Sequence, residues 1–443
     1  MKPKTTSYIS ILAGAATLFA GGYYFGLKNG SGVNVEFENT EYQSEKKDSD
    51  KSVEEIFSKT SAKIVSQEQA IGSKTNQQSV QIADEKKRLR EILEQFVNEP
   101  NPVFKYATLA RAMKQLNPEN LDETLEVFED IPFGFENMQE YRMLLYAWSQ
   151  FDPYGAIDYC KSRASGIGAG FAVSGVLEGW AARNPQEAKS WVESPENKGM
   201  AKLYNFGLIK GWASTDLEGA SEYVLSMEGG DEIKKLAGTL TDFYNKRGFD
   251  QASKWAEEIE NTNLKEAAFT KLSRTLARDQ PERMAGWLEQ HADKKYSVKA
   301  FENLGTRWSE TNPEAAISFF SDLPAGKTQE VGIKSVIGNW AKQDPLSAGE
   351  WLNERPAGPE LDSALSVYAS TVANENAGAA MEWAISISQE KLQQQTIRKV
   401  GQEWYRQDKE AVEEWLPESG LSEDLMNSIR KPPKKNWWQQ LSP

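Results

Sequence analysis

A repeat of 32 residues is the feature that most constrains this chain. An aromatic or large apolar residue, here called the anchor, recurs at that spacing nine times: Trp148, Trp180, Trp212, Tyr244, Leu276, Trp308, Trp340, Val372 and Trp404. Eleven positions after each anchor comes another aromatic residue: Tyr159, Trp191, Tyr223, Trp255, Trp287, Phe319, Trp351, Trp383 and Trp415. A fixed period of this kind predicts a repeat array in which each unit packs mainly against its neighbours. We therefore expect one elongated body rather than several separate domains.

Each unit reads as a helix, a turn and a second helix. The residue four positions before the anchor is apolar in every unit, a spacing that places both side chains on one helical face. Four positions after the anchor, Asp or Asn stands in seven units, and Pro follows in five units. Asp and Asn cap the free N–H groups of a first helical turn, and proline fits the first helical position. A short second helix with a small residue, usually Ala, is expected to follow.

The periodic tryptophans are interpreted as core residues. Of the 14 tryptophans, six occupy the anchor position, namely Trp148, Trp180, Trp212, Trp308, Trp340 and Trp404. Helical repeats hide their hydrophobic face only by stacking, so these rings are expected to lie between hairpins. The alternative interpretation is an aromatic platform that binds a glycan or a peptide.

The segment from Phe243 to Trp255 resembles the tetratricopeptide type of helical repeat. It has an aromatic residue ending a first helix, a turn containing Gly248, and then Ala252 and an aromatic residue on a second helix. The resemblance covers about residues 105 to 420, although the period here is 32 rather than 34. It implies an all-α α-solenoid of about nine to ten helix-turn-helix repeats. It also implies protein or peptide binding on a concave face, and no catalytic residues.

The N-terminal region predicts a membrane anchor. Lys2 and Lys4 precede an uncharged, largely apolar run over residues 8–27, which is long enough to span a bilayer as a helix. Residues 1–28 are therefore predicted to be a single transmembrane helix with the N-terminus in the cytoplasm and the repeat region outside. The alternative is a signal peptide that is cleaved near Gly21.

Between the anchor and the array, composition predicts a tether. Residues 29–83 are rich in Ser, Gln, Lys and Glu and poor in large apolar residues, as expected of a disordered linker. Residues 84–135 are expected to form a helix and a degenerate capping hairpin, followed by nine repeats over 136–420. The tail, 421–443, contains Trp437 and Trp438, which either cover the open end of the array or dock onto a partner or an anionic lipid.

No catalytic, cofactor or metal-binding motif is predicted. The single histidine, His291, is expected to be an exposed cation near a helix end, and the single cysteine, Cys160, to be buried and unreactive. The Gly-rich segment 166–170 is expected to be a loop between hairpins. A net charge of −14 disfavours nucleic acid as a partner.

Two functions fit these observations. The favoured one is a membrane-anchored, non-catalytic scaffold of the bacterial cell envelope that binds a protein or peptide. Its binding face is expected at first-helix positions that the core does not require: Asn205, Thr241, Arg307 and Asn339. The alternative is a hydrolase or lyase of envelope polysaccharide on a helical-repeat scaffold, which would need two carboxylates across a cleft.

Overall fold

The computed structural model describes residues 81–356 and 358–431. Within these residues the protein is all-α, with 22 α-helices and no β-strand, which confirms the predicted all-α class. None of the helices in this part of the chain is long and apolar enough to cross a bilayer. The predicted membrane span over residues 8–27, nearly all of the predicted tether and the tail tryptophans lie outside the described residues.

Three helices precede the periodic units. They are α1 (residues 81–98), α2 (Pro102–Met113) and α3 (Leu121–Glu129). The side chain of Asn101 caps α2 by accepting a hydrogen bond from the backbone of Val103. Stacked phenylalanines, at residues 96 and 128, join α1 to α3 with ring centroids 6.1 Å apart.

The periodic part consists of nine helix pairs. The first helices of the pairs are α4 (Met138–Trp148), α6 (Gly166–Arg183), α8 (Ala201–Thr215), α10 (Asp231–Lys246), α12 (Thr262–Leu276), α14 (Val298–Trp308), α16 (Lys327–Gln343), α18 (Asp362–Val372) and α20 (Glu390–Gln407). The second helices are α5 (Pro153–Arg163), α7 (Pro185–Val192), α9 (Leu217–Ser226), α11 (Phe249–Glu258), α13 (Pro281–Glu289), α15 (Pro313–Asp322), α17 (Pro345–Asn353), α19 (Ala377–Ile385) and α21 (Lys409–Trp415). A last helix, α22 (Glu423–Ile429), packs against α20.

In four of the nine pairs, a single residue makes the turn between the two helices: Asn184, Asp216, Asp344 or Asp408. The backbone N–H of Asn184 donates to the carbonyl of Trp180 and ends α6, while its side chain accepts from the backbone N–H of Glu187 and caps α7. All seven Asp or Asn residues at this position cap the second helix in the same way.

The core runs along the array between the two sets of helices. The residue four before the anchor is fully buried in eight units, and the ninth, Tyr368, is 6% exposed. The small residue eight positions after the anchor is also buried in every unit: Ala156, Ala188, Ala220, Ala252, Met284, Ala316, Ala348, Ala380 and Val412. A methyl side chain at seven of these positions lets each second helix approach its first helix closely.

Consecutive first helices pack against one another along the whole array, and the second helices pack mainly against first helices. The result is a helical repeat-like architecture. The approach is closest between α6 and α8, where a Cβ atom added to Gly207 would lie 1.9 Å from the carbonyl oxygen of Ser174. Glycine is therefore required here by contact between backbones rather than by a turn.

The Gly-rich segment 166–170 corrects a prediction. It was expected to be a loop between hairpins, but it forms the first turns of α6. A Cβ atom added to Gly170 would lie 2.4 Å from Cε of Met200, so this glycine serves close helix packing. Only Gly166, with a φ of 59°, has the left-handed backbone conformation that favours glycine in this segment.

Candidate binding face on the first helices

The anchor tryptophans lie inside the array. Five of them, Trp148, Trp180, Trp212, Trp308 and Trp340, are 2–5% exposed. Trp404, in the last unit, is partly exposed. Six anchor rings pack against the aromatic residue eleven positions later, with centroids 4.7–6.2 Å apart. Aromatic pairing inside six of the nine hairpins thus occupies ring surface that a glycan platform would need.

Two of the four candidate binding residues form hydrogen bonds inside the array. Thr241 is 1% exposed, and its hydroxyl donates to the carbonyl of Ala237 within α10, so its side chain is not accessible to a partner. Asn339 donates a 3.1 Å hydrogen bond to the hydroxyl of Ser309 and links α14 to α16.

The other two candidates are partly exposed. Arg307 forms an ion pair of 2.8 Å with Glu310 on the same stretch of chain. Asn205 lies on α8 with its Oδ1 atom buried and without a hydrogen-bond partner. These two residues stand one and seven positions before their anchors and do not share one face.

The exposed face of the first helices lies at other positions. The residue two before an anchor is rotated roughly 200° from it around the helix, opposite the core, and the residue two after the anchor lies on the last turn of the helix or just beyond its end. We call the residues six before, two before and two after each anchor the first-helix strip. All of them are exposed or partly exposed except Gly338. The same 32-residue register could have identified this face, because it is set by the angle from the anchor.

At the start of the array, the first-helix strip contains an ion cluster. Glu178 on α6 lies between Arg142 on α4, at 2.7 Å, and Lys210 on α8, at 3.1 Å. Partial burial lowers the pKa of Lys210, while the carboxylate of Glu178 opposes that shift. Tyr146 beside this cluster is 39% exposed, and burial of its hydroxyl raises the tyrosine pKa.

His291 does not occupy the exposed position that was predicted. Its side chain is 15% exposed and packs edge-on against Phe269, with centroids 4.9 Å apart. Its Nδ1 atom lies 3.1 Å from the hydroxyl of Tyr296, and Nε2 lies 3.6 Å from Glu257. The aromatic residues that surround the helix end bury the ring, so it is a packing residue.

The only cysteine is buried, as expected for a packing role. Burial raises the pKa of the Cys160 thiol to about 12, so the nucleophilic thiolate is scarce at neutral pH. Within the described residues, no group of three or more His, Cys, Asp or Glu side chains is arranged to hold a metal ion.

Two surface depressions in the described part of the chain are open and have polar linings. One is lined by Glu91, Glu94, Gln95 and Asn98 on α1. Its two carboxylates follow one another along a single helix, whereas a glycosidase pair faces the substrate from two sides of a cleft. Another lies where α16 and α18 end and is lined by Ala341, Lys342, Ser370, Thr371, Asn374 and Glu375.

Comparisons with family models, curated proteins and solved structures gave no match for this chain.

Proposed function

We propose that this chain is a non-catalytic scaffold, anchored in the membrane of a bacterial cell envelope, that binds a protein or peptide on its first helices. In this proposal the helix pairs form an α-solenoid, a divergent relative of the tetratricopeptide type. The observation that carries the proposal is the first-helix strip, whose residues are exposed or partly exposed in every unit except at Gly338.

The packing of the helices supports a concave binding face. First helices pack against their successors along the array, whereas second helices pack mainly against first helices. In a curved stack the inner layer is the more closely spaced one. We therefore place the first helices on the inside of the curve, where extended solenoid surfaces bind their partners.

The N-terminal sequence supports the location. The uncharged run over 8–27 would hold the protein in the membrane, and residues 29–83 would connect it to the array. A flexible chain of that length has an end-to-end distance of roughly 5–6 Å times the square root of its residue number. The array would therefore remain close to the membrane while it contacts its partner.

Site-specific photocrosslinking in cells tests the proposed binding face. A photoreactive amino acid would replace Thr306 or Lys210 on the first-helix strip, and Leu346, which is 78% exposed on second helix α17, as the matched control. We expect a discrete crosslinked partner from the strip positions and none from position 346. Crosslinking from position 346 alone, or hydrolysis of envelope glycan by the purified protein, would contradict the proposal.

A further inference from the structure

Charge is unequally distributed between the two layers of helices. The nine first helices together carry 19 Lys and Arg against 11 Asp and Glu. The nine second helices carry 6 Lys and Arg against 16 Asp and Glu. Although the chain as a whole is acidic, its first-helix layer is basic. The second-helix layer is acidic and disfavours the binding of anions.

The ion cluster at the start of the array shows how the first helices bind a carboxylate. Glu178, two before its anchor, is held by Arg142, six before the preceding anchor, with Nε and Nη2 3.2 Å and 2.7 Å from Oε2. Lys210 on the following helix completes the site. At this end of the array the protein itself supplies the carboxylate.

The same positions near the other end lack the carboxylate. Lys334 on α16 is the register equivalent of Arg142, and Ser370 on α18 is the equivalent of Glu178. Both are accessible, Lys334 being exposed and Ser370 partly exposed. On the next helix, α20, Arg398 stands one turn before the position equivalent to Lys210, which is Gln402.

The first-helix strip over α16, α18 and α20 has basic residues on the two outer helices and small polar residues along the middle one. Its members are Lys334, Gly338 and Lys342; Ser366, Ser370 and Asn374; and Arg398, Gln402 and Arg406. None of these nine residues is acidic. Arg406 pairs with Glu403 beside the strip, and the guanidinium of Arg398 donates to the hydroxyl of Ser428. Among the described residues, no acidic side chain forms an ion pair with Lys334 or Lys342 within 4 Å.

We infer that this surface binds side-chain carboxylates of an acidic polypeptide segment, an inference that rests on the proposed function. Rows four residues apart on a helix are separated by about 6 Å, and alternate side chains of an extended peptide by about 6.6–6.8 Å. An extended segment with Asp or Glu at alternate positions therefore spaces its carboxylates almost as the strip residues of one helix are spaced. The nine positions include no aromatic side chain on which nucleic-acid bases could stack, which favours a polypeptide.

Binding of a labelled synthetic peptide to the full-length protein tests this inference. The probe is an alternating Glu-Ser peptide of about ten residues, with a Gln-Ser peptide of equal length for comparison. Ser370→Glu places a carboxylate where the register has Glu178, and Ser370→Gln is its matched neutral control. A second variant, Lys334→Gln with Arg398→Gln, changes only exposed side chains and remains informative if Ser370→Glu does not fold.

We expect the wild type and Ser370→Gln to bind the Glu peptide about tenfold or more tightly than the Gln peptide, with an affinity that falls as salt rises. Ser370→Glu and the double variant should lose that preference. Equal binding by Ser370→Glu and Ser370→Gln would overturn the inference, as would tighter binding of an acidic polysaccharide.

The two proposals fail in different ways. If the photocrosslinked partner is still captured by Ser370→Glu, the scaffold function stands and the acidic-segment assignment is lost. If no position on the first-helix strip crosslinks in the wild type, the scaffold function fails whatever the peptide does.

Discussion

The indole Nε1 of Trp212 donates a 3.0 Å hydrogen bond to Oδ2 of Asp216. The other oxygen of the same carboxylate accepts a 2.9 Å bond from the backbone N–H of Gly219 and caps α9. One side chain therefore fixes the buried anchor ring and starts the second helix. The pair formed by Trp148 and Asp152 repeats this arrangement in the first unit.

Replacing Asp216 by Ala should destabilise the hairpin. It removes both the cap and the partner of the indole N–H, and loss of a cap alone costs about 1 kcal/mol. Asp216→Asn keeps a capping oxygen and should cost less. Urea unfolding followed by tryptophan fluorescence measures both variants. Equal stability of the Ala variant and the parent would show that the cap contributes nothing.

Acid should weaken these caps. The backbone N–H of Gly219 and then the indole of Trp212 lower the pKa of Asp216, and the hydroxyl and backbone N–H of Ser347 lower the pKa of Asp344. A lowered folded-state pKa stabilises the fold at pH values above the unfolded pKa of about 3.9, and the contribution is lost as pH falls through the folded pKa.

The test compares the parent with a variant carrying Asp216→Asn and Asp344→Asn. The stability difference should be full at neutral pH and shrink once the pH falls below about 4. Urea unfolding at a series of pH values measures it. A difference that stays constant down to pH values well below the unfolded pKa would contradict the assignment.

Much of the helical architecture could be predicted because the sequence pattern that determines it is periodic and lies within a single unit. Leu208, Trp212 and Asp216 follow at steps of four residues, which determine a helical face and a turn without knowledge of any neighbour. The environment of Thr241 could not be obtained this way. Its burial depends on how α10 meets the adjoining first helices, and that crossing is not encoded within one unit.

The mistaken interpretation of Gly170 has a similar cause. A cluster of glycines indicates a loop from local conformational freedom alone. Here a Cβ atom would lie 2.4 Å from Cε of Met200 and 2.8 Å from Cδ1 of Leu203, so the glycine leaves room for two side chains, a contact that depends on tertiary packing. The environment of His291 likewise depends on Phe269 and Tyr296 closing around the ring.

Truncating a buried anchor should be costly. Trp340 is 5% exposed, so Trp340→Ala should lower the free energy of unfolding by about 3–5 kcal/mol. Leu346→Ala, at a site 78% exposed, is the matched control and should change stability by about 0.5 kcal/mol or less. Thermal denaturation of the three proteins gives the comparison. A Trp340→Ala protein as stable as the control would refute the buried-core interpretation.

Protease digestion of spheroplasts tests the membrane topology. If residues 8–27 anchor the chain with its N-terminus inside, protease added outside should degrade residues 84–431 while a cytoplasmic marker stays intact. Before digestion, we expect the protein in the membrane to retain its N-terminus. Protection of the array, or a mature chain that begins near Gly21, would contradict the anchored topology.

Two glycines in first helices should respond oppositely to the same substitution. A Cβ atom at Gly207 would lie 1.9 Å from the carbonyl oxygen of Ser174, whereas one at Gly238 would have no neighbour within 4 Å. Because a backbone carbonyl moves only with its helix, Gly207→Ala should force α6 and α8 apart and cost about 1–3 kcal/mol or more. Gly238→Ala should be neutral or stabilise the protein by up to about 1 kcal/mol, since alanine restricts the unfolded chain.

Hydrogen exchange would show where each effect arises. In a repeat array the loss of one interface is felt mainly by neighbouring units. Gly207→Ala should therefore accelerate amide exchange in α6 and α8 while leaving α16 and α18 protected, and Gly238→Ala should accelerate exchange in neither pair. Faster exchange spread evenly over all four helices would mean that the close contact between α6 and α8 is not what makes glycine necessary at position 207.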